Sequence, residues 1–126
     1  MLVKVTNRVS KEQSMPTVIM AGDFVFVPHL ESGMFLSDVT VQLIKCLENL
    51  TFVLTDAGVE LEDIVQMNVM FSSIADYDKV QAVFPKFFKN ELFVRNVMIS
   101  EFESPGCLCQ IDAVAYKKSK NHEPQV

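Results

Sequence analysis

The segment Leu108 to Tyr116 sets the strongest limit on how this chain can fold. Its residues alternate along an extended backbone, so every second side chain shares a face. Cys109, Ile111, Ala113 and Ala115 make a small apolar face suited to packing under a helix. Leu108, Gln110, Asp112, Val114 and Tyr116 make a mixed face that is not plainly solvent-like. Ile64 to Phe71 repeats the pattern, with Val65, Met67, Val69 and Phe71 against Ile64, Gln66, Asn68 and Met70. A sheet built from such strands has apolar surface to hide on both sides, and one helical layer covers only one of them.

The rest of the chain supplies that layer. Leu2 to Val9 alternates and reads as a strand. Val18-Ile19-Met20 and Phe24-Val25-Phe26-Val27 flank Ala21-Gly22-Asp23, a hairpin signal. Ser37 is the candidate N-cap of a helix whose Leu43, Ile44, Leu47, Leu50 and Leu54 recur at helical spacing, ending at Gly58. Asp76 opens a second helical stretch through Phe88, with Pro85 inside it and therefore a kink or a tightened turn there. Phe93 to Ser100 and Leu108 to Tyr116 are the last strands. The order strand, strand, strand, helix, strand, helix, strand, strand predicts an α+β (α/β) two-layer sandwich: a mixed sheet with two helices on one face. Leu108, Val97, Ile99 and Val114 then remain on the other face. A partner subunit is the simplest cover, so an oligomer is expected.

At 126 residues the chain is one domain's worth: residues 1–116 as a single unit and 117–126 as a short basic tail. Apolar residues at 49% supply enough surface to offset chain entropy, so disorder is not the expected state. The net charge is −5, and without the tail, which carries +2, the body stands at −7. With only Arg8 and Arg95 as arginines, nucleic-acid backbone binding is not expected. No apolar run reaches the length of a membrane helix or a secretory core, so neither a membrane partner nor a signal is expected. Three cysteines, Cys46, Cys107 and Cys109, suit a reduced cytoplasmic chain better than a disulfide scaffold. His29 and His122 lack zinc-finger spacing, and the four glycines form no phosphate-cradling loop, so neither metal nor cofactor is expected.

Arg95 is the residue most able to carry chemistry. It lies in the apolar strand Phe93-Val94-Arg95-Asn96-Val97-Met98-Ile99. Alternation groups it with Val97 and Ile99, on the non-helical side if Val94, Asn96 and Met98 face the helices. Its permanently charged fork fits a carboxylate bidentately. From the strand alone that favours an interface ion pair with Asp or Glu over an anchor for a small carboxylate ligand in a subunit cleft. His29, after Val27-Pro28, is a lone loop histidine, a kind more often inert than catalytic. Glu60, Glu62 and Asp63 sit in a turn and read as solvated.

Several segments together resemble the reactive intermediate/imine deaminase family (Rid, also called YjgF-like). Asp56-Ala57-Gly58-Val59-Glu60-Leu61-Glu62-Asp63-Ile64-Val65 and the strand to Phe71 resemble its central motif, with Asn49-Leu50 upstream. Asp76-Tyr77 through Phe87-Phe88 resembles its second helix, and Gln110-Ile111-Asp112-Ala113-Val114-Ala115 its final strand. Ala21-Gly22-Asp23-Phe24-Val25-Phe26-Val27 resembles its first hairpin, and Arg95 falls where the family has its ligand-binding arginine. The resemblance implies a chorismate-mutase-like fold and a homotrimer whose three sheets form an inner barrel, with ligand clefts between subunits. For active members it implies hydrolysis of 2-imino or 2-enamino acids to 2-keto acids and ammonia, without metal or cofactor. Arg95 would hold the substrate carboxylate while one positioned water attacks the C=N carbon.

The chain departs from that pattern around the anchor. Gln110 stands where active members have a glutamate; it can hold a water but cannot take its proton. Val27-Pro28-His29 replaces a Ser-Gly-Gln segment that lines the cleft, and Pro28 offers no N–H. Met15 replaces a common tyrosine, Val97 a frequent cysteine and Gln81 a frequent asparagine, while Phe93-Val94 lacks a proline before the arginine. Two readings follow. One is a divergent imine/enamine deaminase using Arg95 and Gln110, with His29 as a candidate for proton handling. The other is a non-catalytic trimer that binds a small carboxylate such as a 2-keto acid. The ribonuclease or translation-inhibitor role sometimes attached to the family suits the acidic body poorly.

Overall fold

The computed structural model describes residues 2–5 and 18–117. Six strands form one sheet: β1 (Leu2–Val5), β2 (Val18–Ala21), β3 (Phe24–Leu30), β4 (Ile64–Phe71), β5 (Val94–Ile99) and β6 (Cys109–Tyr116). Their spatial order is β1-β2-β3-β6-β4-β5. Every neighbouring pair is antiparallel except β4 and β5, which run parallel and are joined through the second helical region. This is the expected two-layer sandwich. The remainder of the predicted first strand, Thr6 to Val9, lies outside the described residues, as do Arg8, Met15 and the tail beyond Lys117.

Helix α1 (Val39–Asp56) lies across β3 and β6. Val39, Leu43, Cys46, Leu47, Leu50, Val53 and Leu54 recur every three or four residues and are buried against the sheet. Its N-cap is Asp38 and not Ser37: the Asp38 carboxylate accepts from the Val41 N–H at 3.0 Å, whereas the Ser37 carbonyl accepts from Gln42 Nε2. Gly58 follows the helix at φ 81°, the left-handed conformation that stops it. A short 3-10 turn (Leu61–Asp63) then feeds β4. There Glu60 and Glu62 are exposed as expected, and Asp63 turns back to accept from the Glu60 N–H at 2.9 Å.

The second helical region is two short helices, α2 (Ile74–Lys79) and α3 (Phe84–Phe87). The stretch is not continuous, and of the kink or tightened turn expected at Pro85 it is the tightened turn that is present, with the Lys86 N–H donating to the Val83 carbonyl at 3.1 Å. Pro85 sits in the first turn of α3, where its missing N–H would have had no partner in any case. α2 starts at Ser73, whose hydroxyl accepts from the Ala75 N–H, three residues before the expected Asp76.

Two irregularities decide which side chains face the helices. Between Ile64 and Gln66 the β4–β6 register slips, so Ile64 joins Met67, Val69 and Phe71 in the core and Val65 turns outward. This reverses the expected placement of Ile64 and Val65. β5 pairs in register with β4, Met67 opposite Arg95, Val69 opposite Val97 and Phe71 opposite Ile99. Arg95, Val97 and Ile99 therefore share the helical face, not the open face to which the alternation had assigned them. The open face carries Val94 and Met98 instead, together with Phe24, Phe26 and Val65, all exposed. Across its centre Asn96 donates to Asn68 at 2.8 Å and Asn68 to Asp112 at 2.7 Å, a polar row over β5, β4 and β6.

Candidate functional site

Arg95 sits near the start of β5, an edge strand. Its guanidinium carbon lies 4.5 Å from the centre of the Phe84 ring, and Phe84 is itself fully buried in the core. That stacking fixes the plane of the fork. Nη1 donates to Glu91 Oε1 at 3.0 Å, and the Arg95 side chain keeps 24% of its surface exposed. Arg95 is thus an aromatic-backed cation at the rim of the helical layer, paired with a carboxylate from the segment just before its strand. Val97, two residues on, is partly buried against the core on the same face. Gln81 is exposed in the turn between α2 and α3 and leans on the Tyr77 carbonyl at 3.5 Å.

Gln110 lies elsewhere. It pairs with Met70 of β4, which pairs with Met98 of β5, so it stands three residues along from Arg95 and two strands across. Ordinary strand spacings make that separation roughly 14 Å between backbones. The two side chains also leave opposite faces of the sheet, since Ile111 and Cys109 are the helix-facing neighbours of Gln110. One chain therefore does not bring Arg95 and Gln110 onto one small ligand.

Gln110 is nearly buried and donates through Nε2 to Glu31 Oε1 at 2.7 Å. The same carboxylate accepts from the Ser104 hydroxyl, at 3.2 Å to Oε1 and 3.0 Å to Oε2. The Glu31 carbonyl in turn accepts from Asn49 of α1 at 3.1 Å. Pro28 and His29 are exposed on β3, within an irregularity between Val27 and Leu30, on the strand that leads into Glu31. Sequence reasoning missed Glu31 and Ser104. A strand irregularity at Pro28 was the only available signal for the first, and nothing marked the second.

The connection from β5 to β6 that holds Ser104 is tied to α1 by Gln42. Its Nε2 donates to the Ser37 and Gly106 carbonyls, and its Oε1 accepts from the Leu108 N–H, all within 3.0 Å. Gly106, at φ 83°, lies where a Cβ would come within 2.6 Å of the Phe35 carbonyl oxygen, so only glycine fits.

Cys46, Cys107 and Cys109 are buried free thiols, and none of the three forms a disulfide. Burial and the nearby Glu31 charge push the Cys107 thiol up to about 11, so it stays protonated at neutral pH and is a poor nucleophile. The Cys46 thiol is likewise pushed up, chiefly by its hydrogen bond with Cys109 and by burial. Among the described residues, no group of three or more His, Cys, Asp or Glu side chains is arranged to hold a metal ion. No described helix is long and apolar enough to cross a membrane.

Comparison with known proteins fits this picture. Residues 7–117 match the model of the family described as Endoribonuclease L-PSP. A RutC family protein of Pyrococcus abyssi is 26% identical over 106 residues, covering 79% of this chain and 84% of its own. The crystal structure of Rv2704 from Mycobacterium tuberculosis, a member of the YjgF/YER057c/UK114 family, superposes with a TM-score of 0.78 at 21% identity. It covers 92% of this chain and 99% of its own. TdcF of E. coli, solved with bound serine, superposes at 0.74 with 21% identity over 82% of this chain and 87% of its own. At such identities the two solved structures speak for the fold.

Proposed function

The chain belongs to the endoribonuclease L-PSP family, the YjgF-like or Rid group, and from that premise we propose that it hydrolyses 2-imino or 2-enamino acids to 2-keto acids and ammonia. Arg95 carries this reading. Its guanidinium is stacked on Phe84 and already meets a carboxylate, through a single hydrogen bond from Nη1 to Glu91 Oε1 at 3.0 Å, and the same fork fits a substrate carboxylate bidentately. TdcF, a structural neighbour solved with serine, binds a small molecule with a carboxylate of the same kind. The acidic body, with two arginines in the whole chain, argues against RNA as the substrate.

The site is proposed to lie between subunits of a homotrimer. Arg95 and Gln110 leave opposite faces of one sheet, so a ligand that touches both needs them from different copies. The exposed Phe24, Phe26, Val94 and Met98 on the open face supply apolar surface for such an assembly. A bound iminium is already electrophilic, so the protein needs only to hold the carboxylate, place one water against the C=N carbon and move a proton. Positioned proton transfer supplies about 10²–10⁴-fold. Gln110 orients the water. Pro28 and His29 line the same approach, Val97 lies on the Arg95 face of β5, and Gln81, in the turn between α2 and α3, is proposed to complete the ligand wall.

The experiment generates 2-iminopropanoate or 2-iminobutanoate in situ and follows keto-acid formation with and without the protein. Acceleration that is lost in Arg95→Ala supports the reading. No acceleration at high protein concentration, across small and bulky imino acids, overturns it. The second reading, a non-catalytic trimer that binds 2-keto acids, is favoured by the amide at position 110. It predicts Arg95-dependent binding with no rate enhancement.

A further inference from the structure

We propose that Glu31 is the proton-accepting carboxylate of this site, with Gln110 and Ser104 as its positioning partners; the inference rests on the deaminase reading above. Val27 pairs with Ala113, but Leu30 pairs with Ile111, so β3 carries one residue more than β6 over that stretch. The extra residue falls at Pro28-His29. It keeps Val27 and Leu30 both in the core although they are three apart, and it slides everything after them by one position. One step further along the shifted register, Glu31 stands beside Gln110 on the open face. Without the shift, Leu30 would stand there.

The contacts bear this out. Gln110 Nε2 reaches Glu31 Oε1 at 2.7 Å, and the Ser104 hydroxyl straddles both carboxylate oxygens at 3.2 and 3.0 Å. Asn49 of α1 holds the Glu31 backbone from behind. The carboxylate is therefore fixed in direction by groups from β6, the β5–β6 connection and α1. An ionised carboxylate offers about four lone-pair sites. These three contacts leave capacity on Oε2 for one water. Gln110 cannot take a proton from that water, whereas Glu31 can.

In the reaction, the water oxygen bonds to the C=N carbon of the iminium. The π electrons move to nitrogen, and the proton released by the water goes to Glu31. The resulting carbinolamine takes that proton back on nitrogen. The C–N bond then breaks with loss of ammonia as the hydroxyl oxygen forms C=O, and the hydroxyl proton passes to Glu31 and on to solvent. The net change is iminium plus water to 2-keto acid plus ammonium.

The test uses the full chain and 2-iminobutanoate generated in situ. Glu31→Gln, which keeps size and hydrogen bonding, is expected to lower kcat by about 10²-fold or more with little change in KM. The double variant Glu31→Gln/Gln110→Glu returns a carboxylate from the other side of the same hydrogen bond and is expected to restore most of the lost rate. A tether with a purely structural role predicts neither the kcat-only loss nor the rescue. Thermal unfolding of each variant reports on folding. An active wild type with a folded, equally active Glu31→Gln overturns this inference alone. So does a Glu31→Gln loss that the double variant does not rescue, provided the double variant has wild-type thermal stability. An inactive wild type overturns the deaminase reading and this inference together.

Discussion

The Arg95 guanidinium carbon lies 4.5 Å from the centre of the Phe84 ring, so a residue read from sequence as facing away from the helices is stacked against one of them. Phe84 is buried, and its ring gives the Arg95 guanidinium a fixed plane. Replacing Phe84 by leucine keeps most of the core volume while removing the ring face. A cation–π contact of about 0.5–1 kcal/mol then goes, and binding of a small 2-keto acid is expected to weaken by roughly two- to fivefold. Calorimetric titration checks it. Phe84→Ala, in contrast, is expected to cost about 3–5 kcal/mol of stability and serves as the folding control.

Glu91 occupies the Arg95 fork at 3.0 Å and is substantially exposed. A ligand carboxylate has to displace it. Glu91→Gln removes that competitor, and a surface pair of this kind is worth about 0–1 kcal/mol, so the Kd for a 2-keto acid is expected to fall by up to about fivefold. The gain shrinks in high salt, because the pair is screened there already. An affinity unchanged at low salt would show that Glu91 does not occupy the ligand position.

Because Arg95 and Gln110 leave opposite faces of the sheet, an intersubunit cleft makes a prediction about mixtures. Arg95→Ala and Glu31→Gln chains, each strongly impaired alone, are expected to regain activity when unfolded together and refolded. Hybrid assemblies would then contain clefts that take Arg95 from one copy and Glu31 from another. Keto-acid formation by the mixture, against each variant refolded separately, is the measurement. Absence of any regain, with both chains assembled, contradicts the shared cleft.

The buried Cys107 thiol, pushed up to about 11 from an ordinary 9.0, binds its proton more tightly folded than unfolded. Its contribution to stability is therefore fully present below about pH 9 and is lost as pH rises from 9 toward 11. Urea midpoints are expected to fall over that window, and to fall less in Cys107→Ala. Cys46, shifted the same way, keeps part of the slope. At neutral pH all three thiols are expected to resist iodoacetamide until the protein is unfolded.

Much of this protein was legible in its residues. Alternation placed β4 and β6, the leucine spacing and Gly58 placed α1, and the mixed second face of β6 pointed to a sheet with more surface than its helices cover. The segments around Asp56–Phe71 and Gln110–Ala115 carried the family, and Arg95 stood out as a charge in an apolar strand. Parity was what the sequence could not supply. Alternation says which residues share a face but not which face it is, and one extra residue inverts every assignment beyond it. The slips at Val65 and at Pro28-His29, and the parallel pairing of Met67 with Arg95, are settled only by hydrogen bonding between strands far apart in the chain. That pairing moved Arg95 under Phe84 and brought Glu31, 79 residues away in sequence, into contact with Gln110.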